Sequence, residues 1–501
     1  MKTKITLASG LLVLAGPLAV AAAQNTRPNI VFILADDLGI TDIGAYGAKF
    51  YETPNIDRLF ADGMRFTNAY TPVSICSPAR ASVMTGRHPL KLGMWNHHHH
   101  MPPDSVTVAH RLKDAGYATW HVGKWHCGGP ASNTLPQQMG FDVNIAGWEA
   151  WAPATYFWPY KRDRNRPIEK VPTRSRVPGL EEGGREGEYL TDRVTDEAIK
   201  LINNHTAAGT PFFLNLWHFA VHTPIEAKPE KIEKYRRKAR RHADMRMEYL
   251  YDAKGTRYIE NPNMHEQIPV YAAMIESLDE SVGRIVQTLK DKGVYENTLI
   301  IFYSDNGPLT DRFIKTPWRG GKNSTYQGGV RMPATLVWSG KIKSGVQNDT
   351  EINIYDLPYT MLDAAGSAFP EKYDGDGLSL LPLALGKQTR LPDRNFVWYF
   401  PSTRMHWGQY ASAAMKDENN WKYQMLFNGD TDELYDLNTD PGETNNLIGQ
   451  HPEKAKSMES ALRARLNKYY TNMPKPDEIY IENVERRLRG EPALPVTDRN
   501  Y

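Results

Sequence analysis

The chain has 501 residues, with 60 Lys and Arg against 58 Asp and Glu and a hydrophobic fraction of 41%. This length is enough for one large domain and a smaller one, because single hydrophobic cores stop growing at about 250–300 residues. The near-balance of charge excludes a general polyanion-binding surface. We therefore expect no nucleic-acid partner, and any recognition of an anion must be local.

Residues 1–23 have the pattern of a signal peptide. Lys2 and Lys4 form a short basic start, an apolar stretch covers 11–20, and three alanines end at residue 23. The apolar stretch is too short to be a membrane anchor, and no later stretch could span a bilayer. We therefore expect an exported protein, periplasmic or secreted, without a membrane span.

Three apolar runs end in polar residues, as the buried parallel strands of an α/β sheet do. They cover 29–35, 212–217 and 298–304. Ligands bind in open α/β sheets beyond the carboxyl ends of the strands, so the polar residues that follow these runs should share one crevice. Apolar residues at helical spacing over 274–289 and the segment after Pro78 predict two of the intervening helices.

A change of composition predicts a domain boundary after residue 375. Residues 24–375 are interpreted as the catalytic domain and residues 376–501 as a small α+β domain. Four short segments of the second domain are typical of antiparallel strands, and residues 452–466 are typical of an amphipathic helix.

Several other features fit more than one interpretation. The segment 148–185 is interpreted as a long insertion loop, and the basic segment 228–246 as a solvated helical face rather than a substrate-binding one. The run His97–His100 fits a metal cluster, a substrate contact or a solvated loop. Cys76 and Cys127 could form a disulfide in an exported protein, although each lies in a polar motif typical of chemistry.

The most informative stretch is Cys-Ser-Pro-Ala-Arg over 76–80, followed by Thr-Gly-Arg over 85–87. It resembles the signature of the formylglycine-dependent sulfatases, arylsulfatase-like enzymes of the alkaline phosphatase-like superfamily. In that family Cys-x-Pro-x-Arg directs a modifying enzyme to oxidise the cysteine to formylglycine. The commoner family pattern has serine where this chain has Ala79. A five-residue pattern has low specificity alone, because chance matches occur in long proteins.

Further matches in chain order make the resemblance specific, and together they cover nearly the whole mature chain. The resemblance implies a sandwich fold with a large, mostly parallel central sheet, and a small C-terminal domain with an antiparallel sheet and a helix. The matching segments are Asp36-Asp37, Gly123-Lys124-Trp125-His126, His222-Thr223-Pro224, Asp305-Asn306-Gly307, Gly320-Gly321-Lys322, Gly328-Gly329-Val330-Arg331-Met332-Pro333, Glu433-Leu434-Tyr435-Asp436-Leu437 and Asn446-Leu447.

The resemblance implies one metal ion per chain, usually calcium. Its ligands would be Asp36, Asp37, Asp305, Asn306 and the modified Cys76. Hard oxygen ligands suit Ca²⁺, which neutralises the charge of a sulfate ester and orients it. Mg²⁺ is the less favoured alternative, since the ligand types alone do not separate the two ions.

The resemblance also implies that Cys76, converted to formylglycine by a separate modifying enzyme, is the nucleophile. A hydrated aldehyde carries two hydroxyls on one carbon. One hydroxyl attacks sulfur, and deprotonation of the other expels sulfate and regenerates the aldehyde, which makes the second step easy.

The remaining catalytic roles follow from the same resemblance and from the demands of charge and proton transfer. Arg80 and Lys124 would hold the hydrated aldehyde and its developing charge. His126 would be the base that triggers sulfate release. His222 and Lys322 would bind the sulfate and protonate the departing oxygen, and the sequence does not decide which of them is the principal acid.

The expected substrate is a sulfate ester on a sugar of a polysaccharide. Trp148, Trp151, Arg404 and His406 are predicted to contact it, since they lie where family members build their specificity pockets. Two alternatives stay open: a formylglycine-dependent phosphonate monoester or phosphodiester hydrolase of the same fold, and a non-catalytic protein that binds sulfated glycans. The intact modification motif argues against the second, because binding alone does not need it.

Overall fold

The structure is a computed structural model, and it describes residues 27–205, 209–241, 264–309, 317–400, 412–426 and 431–469. The predicted signal peptide and the two predicted substrate contacts Arg404 and His406 lie outside the described residues. Within the described ranges, no helix combines the length and the apolar character that a bilayer crossing requires.

Thirteen strands and ten α-helices make up the described part of the chain. The strands β1 to β13 are Asn29–Ala35, Met64–Tyr70, Ala118–Gly123, Val143–Ile145, Phe212–Trp217, Thr298–Ser304, Arg331–Val337, Val346–Asn348, Ile352–Asn353, Phe396–Phe400, Ser412–Lys416, Trp421–Leu426 and Glu433–Asp436. The helices α1 to α10 are Pro54–Ala61, Cys76–Thr85, Val108–Asp114, Leu190–Asn204, Pro229–Arg241, Met264–Asp291, Gln327–Val330, Leu357–Ala364, Leu381–Ala384 and Pro452–Tyr469.

The larger sheet has nine strands in the order β4-β3-β5-β1-β6-β7-β2-β8, with β9 beside β2. The run from β4 to β6 is parallel throughout, whereas β7 is antiparallel to both of its neighbours. The predicted, mostly parallel central sheet is confirmed, and the three predicted runs are β1, β5 and β6. These three strands are adjacent, so their carboxyl ends open on the same edge of the sheet.

Helices cover both faces of this sheet, and the alternation of side chains along β1 shows how the layers form. Val31 and Ile33 belong to a core with residues of α1, α4, α5 and α6. Ile30 and Phe32 belong to a second core with residues of α2, α3, α8 and α9. Because β1 is buried on both faces, its sequence is apolar throughout. The predicted sandwich of helices around the sheet is confirmed.

The smaller sheet has four antiparallel strands in the order β10-β11-β12-β13. One face packs against α10 through residues such as Tyr423 and Leu462. The opposite face carries Trp398, which packs with Tyr70 of β2. The predicted C-terminal sheet and helix are confirmed, while the boundary after residue 375 stays a prediction.

Candidate active site

The residues that follow β1 and β6 contact each other at the open edge of the sheet. Asp36 and Asp37 follow β1, and Asp305 and Asn306 follow β6; all four side chains are buried. Asp37 has a φ of 59°, and its N–H donates to Asp305 Oδ1 at 3.2 Å. Four polar side chains therefore meet where two apolar strands end.

Helix α2 brings Cys76 and Arg80 to this edge. Cys76 is the first residue of α2, and its exposed fraction is 2%. Arg80 lies four residues later, so helical spacing places both side chains on one face. Arg80 Nε donates to Asp305 Oδ2 at 2.9 Å, and Arg80 Nη2 lies 2.7 Å from the same oxygen in an ion pair. The guanidinium lies 5.2 Å from the ring centre of Trp217.

Two buried lysines pair with the two carboxylates that follow β1. Lys124 Nζ donates to Asp36 Oδ2 at 2.6 Å, and Lys322 Nζ donates to Asp37 Oδ1 at 2.6 Å. Burial raises the pKa of Asp36 to about 7, although Lys124 lowers it. At Asp37 burial also tends to raise the pKa, but Lys322, with smaller contributions from other cations, outweighs it and holds that pKa below the usual range. The two adjacent carboxylates are thus electrostatically different.

Three buried oxygen atoms at this edge accept no hydrogen bond from the described residues: Asp36 Oδ1, Asp37 Oδ2 and Asn306 Oδ1. A buried acceptor left without a partner costs about 1–3 kcal/mol, so the cluster would be stabilised by a cation. Ligand atoms of Asp36, Asp37, Cys76 and His222 lie within 4.8 Å of one another. Carboxylate and amide oxygens are the ligands of hard divalent cations, which these residues fit.

Asp305 differs from the other predicted metal ligands. Its Oδ2 accepts from Arg80 and its Oδ1 accepts from the Asp37 N–H. It therefore lies in the cluster, but both of its oxygens already have donors.

His126 lies just beyond β3 with a φ of 55°. Its Nε2–H donates to the carbonyl oxygen of His97 at 3.1 Å, so the proton of the neutral ring resides on Nε2. The other nitrogen, Nδ1, is buried and has no hydrogen-bond partner in the described part of the chain. Burial, reinforced by Lys124, holds the pKa of His126 well below its usual value. His126 is thus a neutral base with an available lone pair.

His222 lies beyond the end of β5, close to Asp37. Its Nε2 lies 3.7 Å from Asp37 Oδ2, and its Nδ1–H donates to the carbonyl oxygen of Thr223 at 2.9 Å. Burial lowers the pKa of His222, and Lys322 lowers it further, while Asp37 opposes both. The ring is therefore held by its own neighbour with Nε2 facing the carboxylate cluster.

The two predicted tryptophans lie beside the histidines. The carbonyl oxygen of Trp148 accepts the N–H of His126 at 2.9 Å. The ring of Trp151 lies 5.0 Å from the ring of His97, and it lines a cavity of about 540 Å³ that also touches Thr223. Trp148 thus contacts His126 through its main chain, and Trp151 lies between His97 and the cavity, while their contact with substrate stays a prediction.

Two contributors to the site were missed in the sequence. The main-chain carbonyl of His97 fixes the tautomer of His126. Every residue has such a carbonyl, so the sequence does not indicate which one accepts the hydrogen bond. Trp217 packs on Arg80, and its place at the end of an apolar run next to His218 was the available signal. In the histidine run, His97 and His99 are half-buried, while His98 and His100 are exposed. The His97 and His98 rings lie 5.0 and 5.7 Å from the Trp151 ring.

The alternative of a disulfide is not found. Cys76 and Cys127 are both free and buried. Burial raises the pKa of Cys127, although Arg80 lowers it. This thiol packs in the core formed on the α2 side of the sheet.

Comparison with known proteins gives the family. The family model described as Sulfatase matches residues 28–367, and the model described as N-sulphoglucosamine sulphohydrolase, C-terminal, matches residues 321–472. Arylsulfatase A from Homo sapiens is 32% identical and is aligned over 88% of this chain and 86% of its own length. N-acetylgalactosamine-6-sulfatase from Canis lupus familiaris is also 32% identical, over 82% of this chain and 76% of its own length.

Solved structures give the same architecture. Ps i-CgsB in complex with k-i-k-neocarrahexaose has a TM-score of 0.71 and 27% identity, and the match covers 93% of this chain and 98% of that one. The phosphonate monoester hydrolase of Agrobacterium radiobacter has a TM-score of 0.63 and 20% identity, over 89% and 96% of the two chains, a likeness that shows the fold alone. The fold and its neighbours define a hydrolase of the alkaline phosphatase-like superfamily. Within it, the chain belongs to the sulfatase family and is a sulfuric ester hydrolase, as the sequence predicted.

Proposed function

We propose that this sulfatase hydrolyses sulfate esters of sugars, with formylglycine at position 76 as the nucleophile and one Ca²⁺ at the carboxylate cluster. The observation that carries the proposal is the position of Cys76. Its Sγ accepts from Lys322 Nζ at 3.1 Å and lies in a cluster with Asp36, Asp37 and His222. A group at position 76 would thus meet a cation, a metal site and a proton donor together.

The printed names of relatives support a sugar as the alcohol part. N-acetylgalactosamine-6-sulfatase names a sulfated sugar as its substrate, and Ps i-CgsB was solved with an oligosaccharide. In this chain the Trp151 ring at the cavity beside His97 offers an apolar face of the kind on which sugar rings pack. A 6-sulfated N-acetylgalactosamine is therefore the first sugar to test, within a panel of defined sulfated saccharides.

The three oxygens without donors, on Asp36, Asp37 and Asn306, would hold the cation together with the group at position 76. Bound there, Ca²⁺ would neutralise the charge of the sulfate ester and orient it. Mg²⁺ is the alternative, since both ions take oxygen ligands.

The protein's own residues supply the remaining chemistry. Formylglycine in its hydrated form provides one hydroxyl for attack on sulfur and a second whose deprotonation releases sulfate. Arg80 and Lys124 hold the carboxylates in place and add positive charge next to position 76. His126 takes the proton of the release step on Nδ1. His222 and Lys322 both lie against Asp37 and would supply the proton that the leaving oxygen needs.

The competing activity is phosphonate or phosphate diester hydrolysis on the same fold. The phosphonate monoester hydrolase is only 20% identical, and sulfatases at 32% identity favour sulfate esters. The deciding experiment compares 4-nitrophenyl sulfate with the phosphate diester and phenylphosphonate of the same leaving group, followed by the saccharide panel. We expect the highest kcat/KM for the sulfate; a higher value for phenylphosphonate would overturn the proposal.

The proposal includes export and a modifying partner. The basic start and apolar stretch of residues 1–23 support a periplasmic or secreted enzyme, and the Cys-x-Pro-x-Arg pattern supports conversion by a formylglycine-generating enzyme. The amino-terminal sequence of protein from the producing cells tests export. We expect it to begin at Gln24, whereas an intact amino terminus at Met1 would contradict it.

A further inference from the structure

We infer that the cavity beside His126 and His222 is a cationic subsite for a second anionic group of the substrate. This group would be a sulfate or a carboxylate on the sugar adjacent to the one that loses sulfate. The inference rests on the proposed function and deepens it. It specifies the substrate class as a glycan with anionic groups on neighbouring sugars.

The cavity lies next to the reaction centre. It has a volume of about 540 Å³ and is lined on one side by Thr223 and Pro224, the two residues after His222. Its Trp151 packs on His97, whose carbonyl oxygen accepts from His126. Binding sites for small ligands have volumes of about 300–1,000 Å³, so a sugar residue fits here.

The polar part of the lining is mainly cationic. Lys161, Arg162 and Arg166 line the cavity, and Asp163 is the one carboxylate among its lining residues. Asp163 lies 3.9 Å from Arg166, a loose ion pair that neutralises at most one of the three cations. The lining therefore keeps an excess of positive charge.

Among the described residues, the other two cations have only carbonyl partners. Lys161 Nζ donates to the carbonyl oxygen of Arg166, and Arg162 Nε donates to that of Ala154 at 3.3 Å. Neither has a carboxylate within ion-pair distance among the described residues. A carbonyl orients a cation without cancelling its charge, so both can bind an anion.

The basic helix α5 shows the opposite arrangement. Lys231 and Lys234 both pair with Glu276, and Lys238 pairs with Glu52. These cations are neutralised within the protein. Lys231 is buried and the other two are half-buried, so they do not form the solvated face that the sequence predicted. Lys161 and Arg162 of the cavity have no such carboxylate partner among the described residues.

The test measures binding in a Cys76→Ala background, in which bound saccharide is not turned over. The first probe is a disaccharide of 6-sulfated N-acetylgalactosamine and glucuronate. The second is its glucuronate methyl ester, which is neutral on the neighbouring sugar, and the third is that ester with a 2-sulfate. Comparison of the first and third probes distinguishes a carboxylate from a sulfate as the second anion.

Calorimetry gives Kd for each probe with the cavity intact, with Lys161→Gln/Arg162→Gln, and with the control pair Lys170→Gln/Arg185→Gln. The control residues are exposed on the same insertion and do not line the cavity. We expect at least one anionic probe to bind about tenfold more tightly than the neutral ester, as one charge-assisted contact provides. That advantage should disappear in the cavity variant and remain in the control.

An equal advantage in the parent and the cavity variant, no advantage for either anion, or an equal loss in the control would each overturn the inference. A separate assay measures turnover of 4-nitrophenyl sulfate by the enzyme without any substitution. It distinguishes failure of the subsite from failure of the proposed function. If the enzyme hydrolyses sulfate esters but the anion gives no advantage, the subsite alone is wrong. If no sulfate ester is hydrolysed and the anion advantage persists, the proposed function is wrong and the subsite stands.

Discussion

The Nζ atom of Lys322 lies 3.1 Å from the Sγ atom of Cys76, although 246 positions separate the two residues in the chain. The same ammonium donates to Asp37 at 2.6 Å. Burial alone would lower the pKa of Lys322, but Asp37 and Cys76 raise it above its usual value, so Lys322 stays charged. A cation therefore lies against the position at which the nucleophile is proposed to develop negative charge.

Active enzyme should carry formylglycine at position 76. The peptide that contains residue 76 should be about 18 Da lighter than its cysteine form in mass spectrometry. Cys76→Ala should abolish turnover and leave the fold intact. The matched control is Cys127→Ala, which removes the second buried thiol at a cost of about 1 kcal/mol in stability but keeps turnover. Full activity of protein with unmodified cysteine would exclude the proposed nucleophile.

Loss of a metal ligand should remove nearly all activity. Asp37→Ala and Asp36→Ala each delete a buried oxygen that accepts no hydrogen bond from the described part of the chain, so metal content by mass spectrometry and turnover should fall together. Chelation should act likewise and be reversed by Ca²⁺. Asp279→Asn is the control, because this buried carboxylate accepts from Asn55 and the Ile56 N–H outside the cluster. Full turnover of metal-free enzyme is the result that would rule out the metal.

The two histidines should fail at different steps. Without the base at position 126, attack on sulfur and release of the alcohol still proceed, but sulfate stays attached at position 76. Rapid quench of His126→Ala with 4-nitrophenyl sulfate should therefore show a burst of one equivalent of phenol before turnover stops.

His222→Ala should instead slow the first step. The defect should be larger for a sulfated sugar than for 4-nitrophenyl sulfate, because an activated phenol leaves without a proton. A burst with trapped sulfate in His222→Ala, and none in His126→Ala, would mean that the two roles are reversed.

Stability should fall in acid because of His121 and His218. Burial lowers the pKa of each to about 3, while the unfolded ring has a pKa of about 6.5. Each neutral ring makes its full contribution to the free energy of unfolding above pH 6.5. That contribution should fall by about 1.4 kcal/mol per pH unit as the pH falls from 6.5 towards 3. Urea unfolding across this range measures the slope. A free energy of unfolding that does not change between pH 6.5 and 4.5 would contradict buried neutral rings.

The buried pair Lys422 and Glu443 should stabilise the segment next to Lys322. Lys422 Nζ donates to Glu443 and to the Thr325 carbonyl, both at 2.6 Å, and Glu443 accepts the Gln327 N–H at 2.6 Å. Lys422→Met leaves a buried carboxylate unpaired and should cost about 3–5 kcal/mol in the free energy of unfolding.

The double variant Lys422→Met/Glu443→Gln should recover most of that loss, since the amide still accepts from Gln327. Lys454→Met is the control, because this lysine is partly exposed in its pair with Asp417 and should cost at most about 1 kcal/mol. Equal losses in Lys422→Met and Lys454→Met, measured by urea unfolding, would show that burial of the first pair does not matter.

The carboxylate cluster could be predicted from sequence because its members follow apolar strands directly. Asp36 and Asp305 each end such a run, and parallel neighbours bring such ends together. The cavity cations could not, because the position of Lys161 and Arg162 depends on long-range folding of the insertion, such as the bridge between Phe157 and Tyr189. The local sequence shows that these residues are charged, but it does not show which residues they contact.

Cys76 is 2% exposed and begins a helix in which all ten residues are buried. A second enzyme cannot reach that side chain once the chain has folded. Under the proposed function, conversion of the cysteine must therefore come before folding, during synthesis or export. Lys322 and the C-terminal sheet come later in the chain, so the nucleophile would be made before the residues that will use it have assembled. The burial of residue 76 in the folded protein thus determines when the modification can occur.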